Sequence, residues 1–150
     1  MTKMSISPTV KQVESFIVTG FSVRTQNKDE FNEKTAKLPN LWQQFYASEL
    51  ATNANIYGVY SNYDSDANGF YTVTAGAEST DAQTELSAVT IQAGNYLIFQ
   101  GTGPMPTTVV ETWKRVWEFF EKNTEYRRNF ISDFEAYSGS DQVEIYIGLE

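Results

Sequence analysis

The sequence predicts an α+β fold: an antiparallel sheet with two helices on one face and a cleft between them. Apolar residues recur at helical spacing in two segments, near 39 to 51 and 107 to 122. Short apolar or alternating runs, bounded by turn residues, fill most of the rest. The element order also repeats. Each half, roughly 1 to 80 and 81 to 150, runs strand, helix, strand, strand, and Trp42, Phe45 and Tyr46 precede Trp113, Val116 and Trp117 by 71 residues. The length of 150 residues suits one domain, with no linker or low-complexity tail dividing it.

Taken in order, Val10 to Val23 is rich in branched and aromatic residues and reads as a first strand, bent or bulged at Gly20. Gln26 to Lys37 is a polar loop with room for a helical turn. Pro39 suits a first helical turn, and Leu38, Leu41, Trp42, Phe45, Tyr46 and Leu50 follow on one face of a helix over 39–51. Ile56 to Tyr63 and Phe70 to Ala75 make a hairpin around the polar turn Asp64 to Gly69. Two further strands, Leu86 to Ile91 and Asn95 to Gln100, flank Ala93-Gly94. After the breaker cluster 101–106, Val109, Val110, Trp113, Val116, Trp117 and Phe120 define the second helix over 107–122. Arg127 to Tyr137 gives a strand in its second half. In Gln142 to Leu149, Val143, Ile145 and Ile147 alternate against Glu144 and Tyr146.

Composition excludes several chemistries. The sequence contains no Cys and no His, which removes disulfides, Cys- or His-based zinc sites and every triad with a His base. A haem held by His or Cys is excluded on the same ground, and a haem-binding reading is disfavoured. A net charge of -8 disfavours direct DNA binding, since affinity for phosphates comes from clustered Lys and Arg. No apolar run approaches the roughly 18 to 20 residues that cross a bilayer, and none resembles a signal peptide. The expected location is the cytoplasm, with no membrane contact.

Two loops carry weak motifs. Asp64-Ser65-Asp66-Ala67-Asn68-Gly69 matches the first half of a calcium loop, but the twelfth position, which needs a bidentate Glu, is Ala75. A hairpin turn is the favoured reading, and no metal site is expected. Gly101-Thr102-Gly103 lacks the Lys or fuller Gly pattern of a phosphate loop and reads as a turn feeding the second helix. No cofactor is expected.

Aromatic residues make up 15 % of the chain. Six large rings on two short helices read ordinarily as core; they are more than simple packing demands, and a pocket wall is the sharper alternative. Alternation along Asp133-Phe134-Glu135-Ala136-Tyr137 puts Asp133, Glu135 and Tyr137 on one face and Phe134 and Ala136 on the other. If that first face looks into the cleft, Glu135 is desolvated and its pKa rises unless a cation supplies the missing charge. A bulge in the strand would make Asp133 the inward carboxylate instead. Rings around one carboxylate form a receptor for a cationic, amphipathic small molecule.

An ordered set of segments carries a family resemblance. It comprises Gly20-Phe21-Ser22-Val23-Arg24-Thr25, Leu38-Pro39-Asn40-Leu41-Trp42, Ile56-Tyr57-Gly58-Val59-Tyr60, and Gly69-Phe70-Tyr71 into Gly76. Ile91-Gln92-Ala93-Gly94-Asn95-Tyr96 with Phe99, Trp113-Lys114-Arg115-Val116-Trp117, and 133–137 complete it. Across essentially its whole length the chain resembles the gyrase-inhibitor-like (GyrI-like) effector-binding domain, also found at the C-terminus of AraC-type regulators. It is similar in size to stand-alone members, some of them carried on integron gene cassettes. The resemblance implies a duplicated strand-helix-strand-strand fold that binds small, often cationic or hydrophobic effectors between its modules. It places the acidic pocket residue at Glu135 and pocket aromatics at Trp42, Tyr60, Tyr71, Phe99, Trp113 and Trp117. The family's regulators carry a helix-turn-helix domain, for which this chain has no room, so a DNA-binding domain would come from a partner. Two rival functions follow from other relatives. One is hydrolysis of strained-ring toxins by Glu135 with Tyr60 or Tyr71; the other is a gyrase-inhibitor-like interaction through the acidic surface.

Overall fold

A computed structural model of the chain describes residues 8–48, 56–65, 69–78, 87–105, 107–123, 125–138 and 141–150. Strands β1 (Thr9–Val13) and β2 (Phe16–Thr25) lead into a helical turn, α1 (Asn27–Glu30), and a helix, α2 (Leu38–Tyr46). Strands β3 (Ile56–Ser61), β4 (Tyr71–Glu78), β5 (Ser87–Ile91) and β6 (Gly94–Thr102) follow. Helix α3 (Thr107–Lys122) precedes β7 (Arg128–Ser138) and β8 (Gln142–Leu149). The architecture is α+β as expected, with one eight-stranded sheet in the order β1-β6-β8-β7-β3-β4-β2-β5 and every pair antiparallel.

The strand order is symmetric about its middle. β3 and β7 pair at the centre, with Gly58 opposite Glu135. β2-α2-β3-β4 builds one side, and β6-α3-β7-β8 the other. Helix α2 rests on β2 and β4, and α3 on β6 and β8, so the central pair forms the floor between them. Under α3 lie Leu97, Phe99, Val143, Ile145 and Ile147; under α2, Leu41 and Phe45 pack on Tyr71, Val73 and Ala75.

The sheet's other face is buried too. Glu14 and Ser15 alone join β1, at one end of the strand order, to β2 near the opposite end. Gln92 and Ala93 do the same for β5 and β6. Such short links require the sheet to curl until its ends approach, as strand twist permits. Inside the curl pack Val18, Val59, Ile91, Tyr96 and Phe134, with Phe16, Tyr57 and Tyr146 against them. Phe134 stacks on Tyr146 at 4.4 Å between ring centres.

Some expected boundaries shift. The expected first strand is two, broken at Glu14-Ser15; Gly20 is a paired residue inside β2, opposite Gly76. The two backbones meet so closely there that a Cβ on Gly20 would lie 2.0 Å from the Ala75 carbonyl oxygen. The glycine therefore marks a close approach rather than a bend. Helix α2 ends at Tyr46, short of the expected 51, and 49–51 lie outside the described residues. Residues 66–68 of the Asp64 turn, Leu86 and Pro106 are also outside them. Helix α3 and β8 occupy their expected spans.

The start of α2 is held from a distance. Its first amides are orphan donors. The Glu30 carboxylate accepts from the backbone N–H of Lys37 (3.0 Å) and of Leu38 (3.1 Å). A negative charge at a helix start is also favoured by the helix dipole.

A candidate ligand-binding cleft with a buried carboxylate

Between α2 and α3 lies a cavity of about 870 Å³. Its floor comes from Tyr60 on β3 and from Glu135 and Tyr137 on β7. Trp42 and Tyr46 stand on the α2 wall, Trp113 and Trp117 on the α3 wall. Tyr63, Tyr71 and Arg128 close one end. Strand alternation places Glu135 as expected, since Phe134 beside it enters the opposite core.

Glu135 is 3 % exposed. Its Oε2 accepts from Trp113 Nε1 (2.7 Å) and the Tyr60 hydroxyl (2.9 Å), and its Oε1 from the Tyr137 hydroxyl (2.7 Å). Burial pushes its pKa above the ordinary carboxyl value, and the three donors pull it partly back. The expected lack of compensation is thus corrected in one respect: neutral donors hold the carboxylate. No cation does so, since the ion pairs among the described residues are Arg24–Asp64 and Arg128–Asp133. Burial, and then the charge on Glu135, push the Tyr60 and Tyr137 hydroxyls well above their ordinary values, so both remain donors at neutral pH.

The rings form a continuous lining. Trp113 lies 5.0 Å from Tyr60 and 6.2 Å from Trp117, and Trp42 lies 5.5 Å from Tyr137. The structure therefore brings Glu135, Trp42, Tyr60, Tyr71, Trp113 and Trp117 to one cavity. Phe99 is not among them. It packs in the core beneath α3 against Phe119 and Phe120. Asp133, the other candidate for the inward carboxylate, is fully buried and bound to Arg128, Tyr63 and the Gly148 amide.

Sequence reasoning missed several lining residues. Phe31 is 69 % exposed, yet its ring meets Trp117 edge-on at 6.0 Å from across the cleft mouth. A lone aromatic in an otherwise polar loop was its one signal. Tyr137 lies on the face that alternation already gives Glu135, although sequence reasoning does not single it out as a pocket residue. Tyr63, three residues from Tyr60, is out of alternation and follows the irregular Asn62, whose φ is 51°. Among the described residues, no cluster of carboxylates suited to a metal ion occurs.

Gly58 makes room for the carboxylate. A Cβ there would lie 2.6 Å from Glu135 Oε1 and 2.9 Å from Trp42 Cζ2. Gly58→Ala is expected to displace Glu135 and weaken ligand binding about tenfold while the protein stays folded. Fluorescence titration alongside thermal melting checks this; unchanged affinity would mean the carboxylate has slack.

Residues 9–149 match the family of integron-associated effector binding proteins, Cass2. The chain belongs to the Cass2 family. It is 36 % identical to the Cass2 integron cassette protein from the mobile metagenome of Vibrio cholerae, whose crystal structure superposes with a TM-score of 0.87 over 96 % of both chains. It is 30 % identical over 148 residues to YobU of Bacillus subtilis (strain 168), a protein named for a proposed role in transcriptional regulation. That match covers 87 % of this chain and 90 % of YobU. The fold extends to SAV2435, solved bound to tetraphenylphosphonium, at 14 % identity and a TM-score of 0.73, over 97 % of this chain and 94 % of that one. No described helix of this Cass2 member is long and apolar enough to cross a membrane.

Proposed function

We propose that this chain is an effector-binding module for lipophilic organic cations, with Glu135 as counter-ion and the Trp and Tyr rings as walls. The observation that carries the proposal is a carboxylate 3 % exposed, facing an aromatic cavity and held by neutral donors alone. A buried charge without an opposite partner is costly, and an entering cation removes that cost. The rings add apolar area and attract positive charge through their faces. The structural relative SAV2435 is solved bound to a lipophilic cation, tetraphenylphosphonium, in keeping with this chemistry. The name of YobU, which speaks of transcriptional regulation, points to a bound effector that influences transcription.

Hydrolysis receives less support from the geometry. Both oxygens of Glu135 are engaged, and the nearby tyrosines hold their protons too tightly to act as bases at neutral pH.

Two ions of one shape and opposite charge provide the test. Tetraphenylphosphonium is expected to quench Trp fluorescence saturably, with all three Trp residues on the cavity wall, and tetraphenylborate is not. Equal binding of the two would reduce the cleft to a charge-blind apolar hollow and overturn the proposal.

A further inference from the structure

The cavity has a second polar corner, formed by Arg128 with the fully buried Asp133 behind it. The Arg128 side chain is 8 % exposed and lines the cavity. Its Nη2 donates to Asp133 Oδ2 at 2.7 Å. Asp133 has two further donors, the Tyr63 hydroxyl at 2.5 Å and, to Oδ1, the Gly148 amide at 2.8 Å. Arg128 is not saturated. Its Nε is fully buried without an acceptor among the described residues, and the Tyr63 hydroxyl as well as Asp133 engages the guanidinium. A guanidinium carries five N–H donors, more than these two partners accept, and the part of the side chain that lines the cavity presents the remainder to it.

The backbone is bent to put it there. The β7–β8 register shifts between Arg128 and Asp133, and Phe130 has φ of 53°. A bulky residue in that region is strained, which is found where the surroundings enforce it. The turn tucks the Phe130 ring beneath the guanidinium, 4.4 Å from its carbon. It also folds Arg128 back onto Asp133, two residues before Glu135 on the same face of β7. Two residues of strand rise about 7 Å, so the anionic and donor-rich corners lie within the span of one small molecule.

We infer that the preferred ligand is a lipophilic cation that also carries a neutral hydrogen-bond acceptor, a carbonyl or ether oxygen, directed at the unmatched donors of Arg128. A neutral acceptor fits better than an anion, because Asp133 already balances the guanidinium charge. The inference rests on the cation-binding reading above and deepens it.

Calorimetric titration with two probes separates the two claims. (4-Acetylbenzyl)triphenylphosphonium and (4-isopropylbenzyl)triphenylphosphonium share charge and shape and differ in one carbonyl oxygen. The isopropyl probe is the more lipophilic, so apolar burial alone favours it. The wild type is expected to bind the acetyl probe about tenfold more tightly, the scale of a hydrogen bond to a charged group after desolvation. In Arg128→Lys, which keeps a charge beside Asp133 but loses the forked donors, the ratio should fall to within about twofold. If that variant does not fold, replacing both partners (Arg128→Met with Asp133→Leu) strands no charge and should abolish the preference likewise. Equal affinities in the wild type, or a preference that survives both replacements, would overturn the role of Arg128 and leave cation binding standing. Failure of both probes to bind would overturn both claims.

Discussion

Glu135→Gln is expected to weaken tetraphenylphosphonium binding about a hundredfold, equivalent to roughly 2.7 kcal/mol, at neutral pH. The neutral amide keeps the volume and can still accept from Trp113 and Tyr60, so the walls persist while the charge goes. Losing one member of a desolvated charge pair has effects of this order. Stability should move the other way. Because burial raises the folded-state pKa of Glu135, the folded chain holds its proton more tightly than the unfolded one. This group's contribution to the empty protein is therefore best below the unfolded value of about 4.3. It worsens as pH climbs towards the folded value and is constant above it. The variant lacks that penalty and should melt no lower than wild type near neutrality. A bound cation favours the ionised form, so binding expels the proton. Wild-type affinity should rise with pH through the carboxyl's titration and then level off, while the variant stays flat. A variant that binds the cation as tightly as wild type would end the counter-ion role.

Phe134→Ala should cost about 3–5 kcal/mol, the usual range for truncating a buried ring. Phe134 is 2 % exposed and stacks on Tyr146, with Phe16, Tyr57 and Tyr96 edge-on around it. At 2–4 °C per kcal/mol for a chain of this size, the melting temperature should fall by about 10 °C. The same strand presents Glu135 to the cleft, so the empty cavity would loosen the floor as well. A loss below about 3 °C would show that the curled face packs too loosely to bear on the site.

Alternation and helical spacing made most of this architecture legible. Phe134 and Glu135 adjoin in sequence and face opposite ways, which a period of two reveals directly. Trp42, Trp113 and Trp117 sit where helical spacing puts them. Phe99 misled because the core under α3 and the wall of the cleft are both apolar, and pattern alone cannot separate them. Arg128 was invisible for another reason. The irregular turn through Phe130 breaks the alternation that would have placed it. Phe31 belongs to no periodic run at all, and Gly20 resembled a break because the need for a bare Cα opposite Gly76 is a property of the neighbouring strand.

The small number of carboxylate oxygens among these rings bears on simple metal ions: among the described residues the carboxylates that line the cavity are Glu135 and Glu30. Potassium and magnesium are held in water by shells of oxygen, and leaving that water requires several replacement oxygens. Two carboxylates whose oxygens are all already engaged offer no such shell. A bulky organic ion spreads its charge over many carbons and forfeits little on leaving water. On the proposed counter-ion role, the hollow would sort positive ions by the grip that water has on them and leave the most abundant ones outside.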